Sequence, residues 1–147
     1  MFQYRVYEER PPETIVEQIR HLYETIFQTS AERIMEKMNK VENLLVLVAF
    51  NQDKVIGFKI GYENDSEEFY RWIGGVAPAY RKKGIGSTLM NMQHEWVKKR
   101  GYKIVTTQTK NKWCDMLILN LRHGFDIIGT YTDEKGEPKI ILKKVLW

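Results

Sequence analysis

The chain has one cysteine, Cys114, in 147 residues. That excludes an internal disulfide framework and fits a reducing compartment. No apolar run approaches the ~20 residues of a membrane span. The longest, LLVLVAF at 44–50, has the length of a buried strand. The first residues, MFQYRVYEER, carry charges where a signal peptide needs an apolar core. The expectation is therefore a cytoplasmic protein with no membrane association. Internal repeats and low-complexity linkers are absent, and the length fits one domain, 1–147, with its own core. His21, His94 and His123 show no metal-ligand spacing and read as helix-face residues, so no metal is expected. Cys114 has no base beside it in sequence and reads as a surface or core thiol rather than a nucleophile. Zinc-finger spacing, an RNP-type aromatic motif and an arginine-rich tail are also missing.

What is present is ordinary for a globular chain: 43% hydrophobic and 29% charged residues. The net charge of +4 suits an anionic ligand as well as a nucleic acid. Basic residues cluster at 81–83 (RKK), 98–100 (KKR) and 143–144 (KK). These clusters keep an RNA-binding module open as an alternative, which steep salt dependence would reveal. Trp72, Trp96, Trp113 and Trp147 read as core or interface side chains rather than a base-stacking platform. An interface of that kind is compatible with a homodimer.

The element order follows from periodicity. FQYRVYE alternates as a first strand, and RPPE at 10–13 breaks it and opens a helix. Ile15, Ile19, Leu22, Tyr23 and Ile26 recur at helical spacing. TSAERIMEKMN at 29–39 predicts a second short helix, with Thr29 and Glu32 as its capping box. LLVLVAF, KVIGFKIGY and EEFYRWIGGV predict three strands joined by the turn compositions NQDK and ENDS. A helix follows, with Ile85, Leu89, Met92 and Trp96 on one face, cations at 98–100 and Gly101 as its stop. KIVTTQT is a strand, WCDMLILNLRH a helix closed by Gly124, and FDIIGTYT with PKIILKKVL a last hairpin. The fold class is α/β (α+β): one mixed, mostly antiparallel sheet flanked by helices. A strand–helix–strand unit at 67–109 requires one parallel strand pair.

One stretch, YRKKGIGSTLM at 80–90, breaks local rules. Arg81, Lys82 and Lys83 precede a helix start, where cations are unfavourable. Gly84 and Gly86 sit in the first turn, where glycine costs helix stability. Both features make sense if an anion sits on the helix's free N–H groups, since glycine lets it approach closely. The competing account is a solvated basic loop before an ordinary helix. A Walker loop, GxxxxGK[ST], is absent, and the dinucleotide fingerprint GxGxxG fails at Leu89.

GGVAPAYRKKGIGSTLM resembles motif A of the GCN5-related N-acetyltransferase (GNAT) superfamily, through Val76, Pro78, Tyr80, Arg81, Gly84, Ile85 and Gly86. A helix ending in Gly124-Phe125 is similar to that family's motif B, and the element order resembles the family across nearly the whole chain. The resemblance implies an acetyl-CoA-dependent N-acetyltransferase with acetyl-CoA as cosubstrate. Its acceptor would be the primary amine of a small molecule or peptide, attacking directly in a ternary complex, with no nucleic acid or membrane partner. It further implies that the pyrophosphate lies on the loop at 81–87, near Arg81 and Lys82, with the N–H groups of Lys83, Gly84, Gly86 and Ser87 as donors. A bulge in the strand before that loop would admit the pantetheine arm, and Gly74-Gly75 is the expected bulge. The N–H of Val76 would then face the acyl oxygen.

The catalytic positions depart from the commonest family pattern. Where histone-type members carry a glutamate base, this chain has Tyr70, with Glu68 two residues earlier on the same strand face. Where many members carry a tyrosine acid, it has Asn120, which can donate a hydrogen bond but not a proton. Asn111 is expected to face the pantetheine or to cap the following helix. These departures keep a non-catalytic, acetyl-CoA-binding regulator as the second alternative. The two N-terminal helices and the final hairpin are expected to shape the acceptor pocket.

Overall fold

The computed structural model describes residues 1–146, so Trp147, one of the tryptophans read as core or interface, lies outside the described residues. The elements are β1 (Gln3–Tyr7), α1 (Glu13–Phe27), α2 (Glu32–Met38), β2 (Glu42–Asn51), β3 (Lys54–Glu63), β4 (Glu68–Val76), a short 3-10 turn at Pro78–Tyr80, α3 (Ile85–Lys99), β5 (Ile104–Lys110), α4 (Cys114–Arg122), β6 (Asp126–Thr132) and β7 (Pro138–Val145). This is the order expected from the sequence. Seven strands form one sheet in the order β1-β2-β3-β4-β5-β7-β6. Every neighbouring pair is antiparallel except β4–β5, the two strands joined through α3. No helix among the described residues is long and apolar enough to cross a membrane.

Helices cover both faces of the central strands, so β2 is buried continuously from Leu44 to Phe50 instead of alternating with solvent. Alternation instead sorts its side chains between two cores. Val46, Val48 and Phe50 pack with Val16, Ile19 and Leu22 of α1 and Met35 and Met38 of α2. Leu45, Leu47 and Ala49 pack with Ile85, Leu89 and Val97 of α3 and with Val105 and Phe125.

Three local expectations are corrected. Helix α2 starts later than a Thr29 cap would place it, and Ala31 holds the cap position. Its start is tied by Ser30 Oγ, which accepts from Glu32 N–H at 3.2 Å, and by Glu24 of α1, which accepts from Ala31 N–H at 2.9 Å. The acceptor thus comes from a neighbouring helix, which a local motif cannot reveal. The buried stripe of α3 is Ile85, Leu89, Met90, Gln93 and Val97, with Met92 and Trp96 only partly covered. A count of apolar residues passes over a buried glutamine. Third, the β-bulge falls at Trp72. Ile60 pairs with Ile73 and Gly61 with Arg71, leaving Trp72 as the extra residue, while Gly74 and Gly75 pair in register with Lys59 and Phe58. The two glycines answer to crowding. A Cβ on Gly75 would come within 2.8 Å of Ile26 Cδ1, and one on Gly74 within 3.1 Å of the Phe58 carbonyl oxygen.

Candidate active site

The parallel ladder between β4 and β5 is short. Glu68 to Arg71 pair with Ile104 to Thr107, and there it stops, although β4 runs on to Val76 and β5 to Lys110. From Trp72 onward β4 has a free edge facing a gap. Its spare groups follow from the ladder's phase. Ala77 N–H donates to Ile56 oxygen at 2.8 Å, so Gly75 and Ile73 form the hydrogen-bonded pairs with β3. Gly74 and Val76 fall between them and turn their N–H and C=O groups toward the gap. Val76 C=O accepts from Arg81 Nε at 3.1 Å, which ties the basic loop to that edge.

At the far end of the free edge stands the start of α3. Gly84 occupies the cap position with φ +81°, a conformation that favours glycine, and Lys82 also has positive φ, 62°. Thr88 N–H, bonded to Gly84 oxygen at 3.0 Å, is the first of the helix to find an acceptor. The N–H groups of Ile85, Gly86 and Ser87 precede it and have no intrahelical partner. A Cβ on Gly86 would meet only Val76 Cγ2, at 4.0 Å, so crowding does not require glycine there. It leaves open space over the helix end instead. Arg81, Lys82 and Lys83 are exposed around it. This donor set fits a pyrophosphate: aligned N–H groups, a helix dipole's positive end and three cations.

At the closed end of the gap, the two sheet faces carry different chemistry. Glu68 and Tyr70 lie on the α1/α2 side. Glu68 Oε2 accepts from Asn64 Nδ2 at 2.7 Å and from Thr106 Oγ1 at 3.0 Å. Tyr70 packs on Tyr62 with ring centroids 5.4 Å apart, and burial, aided by Tyr62 and Tyr131, pushes its hydroxyl up to about 12. Asn120 lies on the α3/α4 side, buried, its amide oxygen accepting from Arg71 Nη2 at 2.7 Å. Asn111 is exposed at the end of β5. Its N–H donates to Pro138 oxygen at 3.2 Å, and Trp113, with no side-chain cap bond, holds the cap position of α4 instead. Cys114 is an exposed helix-surface thiol.

Two residues of this region escaped the sequence reading. Lys59 of β3 and Arg71 of β4 are 7% and 4% exposed, on the α3/α4 face. No carboxylate among the described residues pairs with either. The signal was there: each is a lone cation inside an apolar strand, VIGFKIGY and EEFYRWIGGV. Burial, then Arg71, holds the Lys59 ammonium well below its ordinary range, and burial lowers Arg71 to about 9. His94 of α3 stacks on Phe125 at 5.6 Å. Burial first, then Arg71, Lys144, Lys59 and His123, keeps it neutral, at about 3. Among the described residues no group of three or more His, Cys, Asp or Glu side chains is arranged to hold a metal. A separate cavity of about 320 Å³, lined by residues including Arg5, Gln18 and Asp53, involves none of the gap residues.

Residues 5–114 match the acetyltransferase (GNAT) family. The fold is shared with solved structures at low identity. The ribosomal-protein-S18-alanine N-acetyltransferase of Escherichia coli superposes with a TM-score of 0.82 at 17% identity, covering 98% of this chain and 94% of that one. Aminoglycoside 6'-acetyltransferase type Ii gives 0.81 at 21% identity, with 97% of each chain covered. A GNAT acetyltransferase from Elizabethkingia anophelis, solved with acetyl-CoA bound, gives 0.75 at 18% identity, with 98% and 97% covered. No curated protein matches the sequence.

Proposed function

The chain belongs to the acetyltransferase (GNAT) family, whose activity is acetyl-CoA-dependent N-acetylation, and from that membership we propose that it acetylates a primary amine of a small molecule or peptide within a ternary complex. The observation that carries this reading is the unzipped β4–β5 edge running from an open, glycine-bearing helix start to a closed end. Acetyl-CoA, when bound, supplies an acyl group already activated as a thioester. The N–H groups at Lys83, Gly84, Gly86 and Ser87, with Arg81 and Lys82, would hold its pyrophosphate. The free edge at Gly74 and Val76 offers backbone donors and acceptors to the amides of the arm and, toward the closed end, to the acyl oxygen. Asn111, at the mouth of β5, would border the same arm.

Deprotonating the amine is the harder step, since an alkylammonium has a pKa near ~10.4. Tyr70, pushed up to about 12, stays protonated at neutral pH and serves as a donor or a water-holding group. Glu68, on the same face, is the carboxylate available to relay a proton through water. Because Tyr70 stays protonated and Asn120 is bonded to Arg71, an acetyl-CoA-binding regulator is the second reading. Release of free thiol on mixing acetyl-CoA with amine panels separates the two. The cradle itself is tested by Gly86→Glu. Acetyl-CoA should raise the melting temperature of the parent protein, as a native-state ligand does. It should leave that of the variant unmoved, because the added carboxylate fills and repels at the anion's place. A folded variant with an unchanged shift would place the cofactor elsewhere.

A further inference from the structure

Lys59 and Arg71 pose a physical problem. Burying one charge without a counter-charge is costly, and burying two of the same sign together is more so. The fold invests in Arg71 specifically: Asn120 accepts one of its protons, Phe125 lies under the guanidinium at 4.8 Å, and Thr107 Oγ1 donates to its carbonyl at 2.9 Å. Yet Arg71 Nε and Nη1 have no hydrogen-bond partner; elsewhere in the protein Gln93 Nε2 and Oε1, His94 Nε2 and Thr109 Oγ1 are also buried and unpartnered. After burial, the charge that lowers Lys59 is Arg71, and Arg71, Lys59 and Lys144 of β7 together lower His94 and His123. A buried guanidinium with two unspent donors, a second cation beside it and no carboxylate paired with either is complementary to an anion.

Its position says which anion. Arg71 is the last β4 residue paired with β5, so it stands at the point where the gap closes. The cradle lies beyond the other end of the free edge, and Trp72 to Val76 spans roughly 13 Å at about 3.3 Å per residue. A chain held by its pyrophosphate at Gly84–Ser87 and laid along that edge therefore brings its other end to Arg71. That end is the thioester. When the amine nitrogen bonds to the acyl carbon, the carbon–sulfur bond breaks with its electron pair on sulfur, and the amine's proton goes to water or to the base. Asn120, the motif B residue on the α3/α4 face, cannot supply a proton to sulfur, and its oxygen is engaged by Arg71.

Resting on the proposed function, we propose that Lys59 and Arg71, with Asn120 holding the guanidinium in place, form a buried anion subsite whose occupant is the coenzyme A thiolate. The leaving group departs as an anion into a preformed positive field, and no general acid is needed. Neighbouring cations favour thiolate over thiol. Lys59, paired with Gly74 of the free edge, acts through this field, and Arg71 stands where the gap closes.

The experiment uses the full chain with coenzyme A, desulfo-coenzyme A, acetyl-CoA and succinyl-CoA. Ultraviolet thiolate absorbance of bound coenzyme A is read at pH 7, where the free thiol, with a pKa near ~8.5, is only about 3% ionised. Calorimetry gives the affinity of each ligand. The expected result is a full thiolate band for bound coenzyme A and at least tenfold tighter binding than desulfo-coenzyme A. Both should shrink in Lys59→Met and in Arg71→Met, and largely survive in Arg71→Lys, which keeps the charge. The ligand-free Lys59→Met variant should be at least as heat-stable as the parent, because it removes a buried cation with no carboxylate partner. If Arg71→Met fails to fold, Lys59→Met alone decides. Four results would overturn the proposal: no thiolate band; a band unchanged in both Met variants; coenzyme A and desulfo-coenzyme A binding equally; or succinyl-CoA binding tenfold tighter than acetyl-CoA in a Lys59- and Arg71-dependent way, which would make the subsite one for an acyl carboxylate. Failure of acetyl-CoA to raise the melting temperature at all would instead sink the functional reading beneath it.

Discussion

In β2, every residue from Leu44 to Phe50 is buried; in β6, Ile127, Ile128 and Tyr131 stand 50%, 55% and 44% exposed. The two strands belong to one sheet, but β2 is clamped between helices on both faces, whereas β6 is an edge strand with β7 as its only neighbour. The contrast extends to their surroundings. The open start of α3, the free β4 edge and the buried cations are all built on β3, β4 and α3, in the thickly covered half. Helix α4, with Ile118 46% and Leu121 44% exposed, belongs with β6 and β7 to a thinner half. That half lies almost wholly beyond the residues matched to the family. Precise positioning needs locked neighbours, and the thickly covered half supplies them to the proposed cofactor site.

Substitutions of matched type should expose this asymmetry. Leu47→Ala in β2 removes a fully buried side chain and should cost about 2–5 kcal/mol. Ile128→Ala in β6 should stay within about 0.5 kcal/mol. Urea unfolding of both variants measures the difference. Near-equal losses would mean that the thin half is covered in solution and that the contrast is wrong.

A smaller effect sharpens the same comparison through glycines. A Cβ on Gly61 of β3 would lie 2.4 Å from Phe69 Cε2 and 2.7 Å from the Tyr70 carbonyl oxygen. Gly61→Ala should therefore destabilise by about 1–3 kcal/mol, because the backbone of β4 must shift. At Gly129 of β6 the nearest atom is Ile141 Cδ1 at 3.7 Å, an ordinary contact. Gly129→Ala should be neutral or stabilise by up to about 1 kcal/mol through the unfolded chain's lost freedom. Thermal unfolding of the pair reads the sign, and a destabilised Gly129→Ala would show that β6 is held more tightly than its exposure implies.

The same division explains what was legible in the sequence. Element order came through, because alternation in KIVTTQT and helical spacing in ETIVEQIRHLY are local signals. The open helix start was legible for the opposite reason: Gly84 and Gly86 violate local preference, and a violation needs a cause. Features set by contacts distant in sequence were not. The bulge at Trp72 depends on the partner register of β3, and the crowding at Gly75 on Ile26 of α1. Lys59 and Arg71 escaped notice because their burial is set by contacts distant in sequence, such as Asn120 and Phe125 against Arg71. Asn120 illustrates the middle case. Its place in the chain was found by motif, while its bond to Arg71, 49 positions away, was not.

The smallest effect concerns acid, and it belongs to the thin half. The turn between β6 and β7 is pinned by Glu137, which accepts from Lys112 at 2.7 Å and Lys110 at 2.9 Å. Those hydrogen bonds, Lys112 first, hold its carboxyl down at about 2. A carboxyl lowered on folding stabilises the native state above its unfolded pKa, near ~4.3, and loses that contribution as pH falls toward 2. Protonation should therefore loosen the β6–β7 turn before it affects β2 and β3, where no carboxylate is buried. Lys59 runs the other way: an amine lowered on folding makes the protein gain stability as pH rises toward the unfolded value of ~10.4. The measurement is amide hydrogen exchange, resolved by strand, at pH 5.5 and pH 3, in the parent and in Glu137→Gln. After correction for intrinsic rates, β6 and β7 amides should lose modest protection at pH 3 in the parent. In the glutamine variant they should already be less protected at pH 5.5 and show a weaker pH response, with β2 and β3 unchanged throughout. Equal loss of protection across all seven strands would mean that the two halves open together, and the asymmetry seen in burial would then have no counterpart in stability.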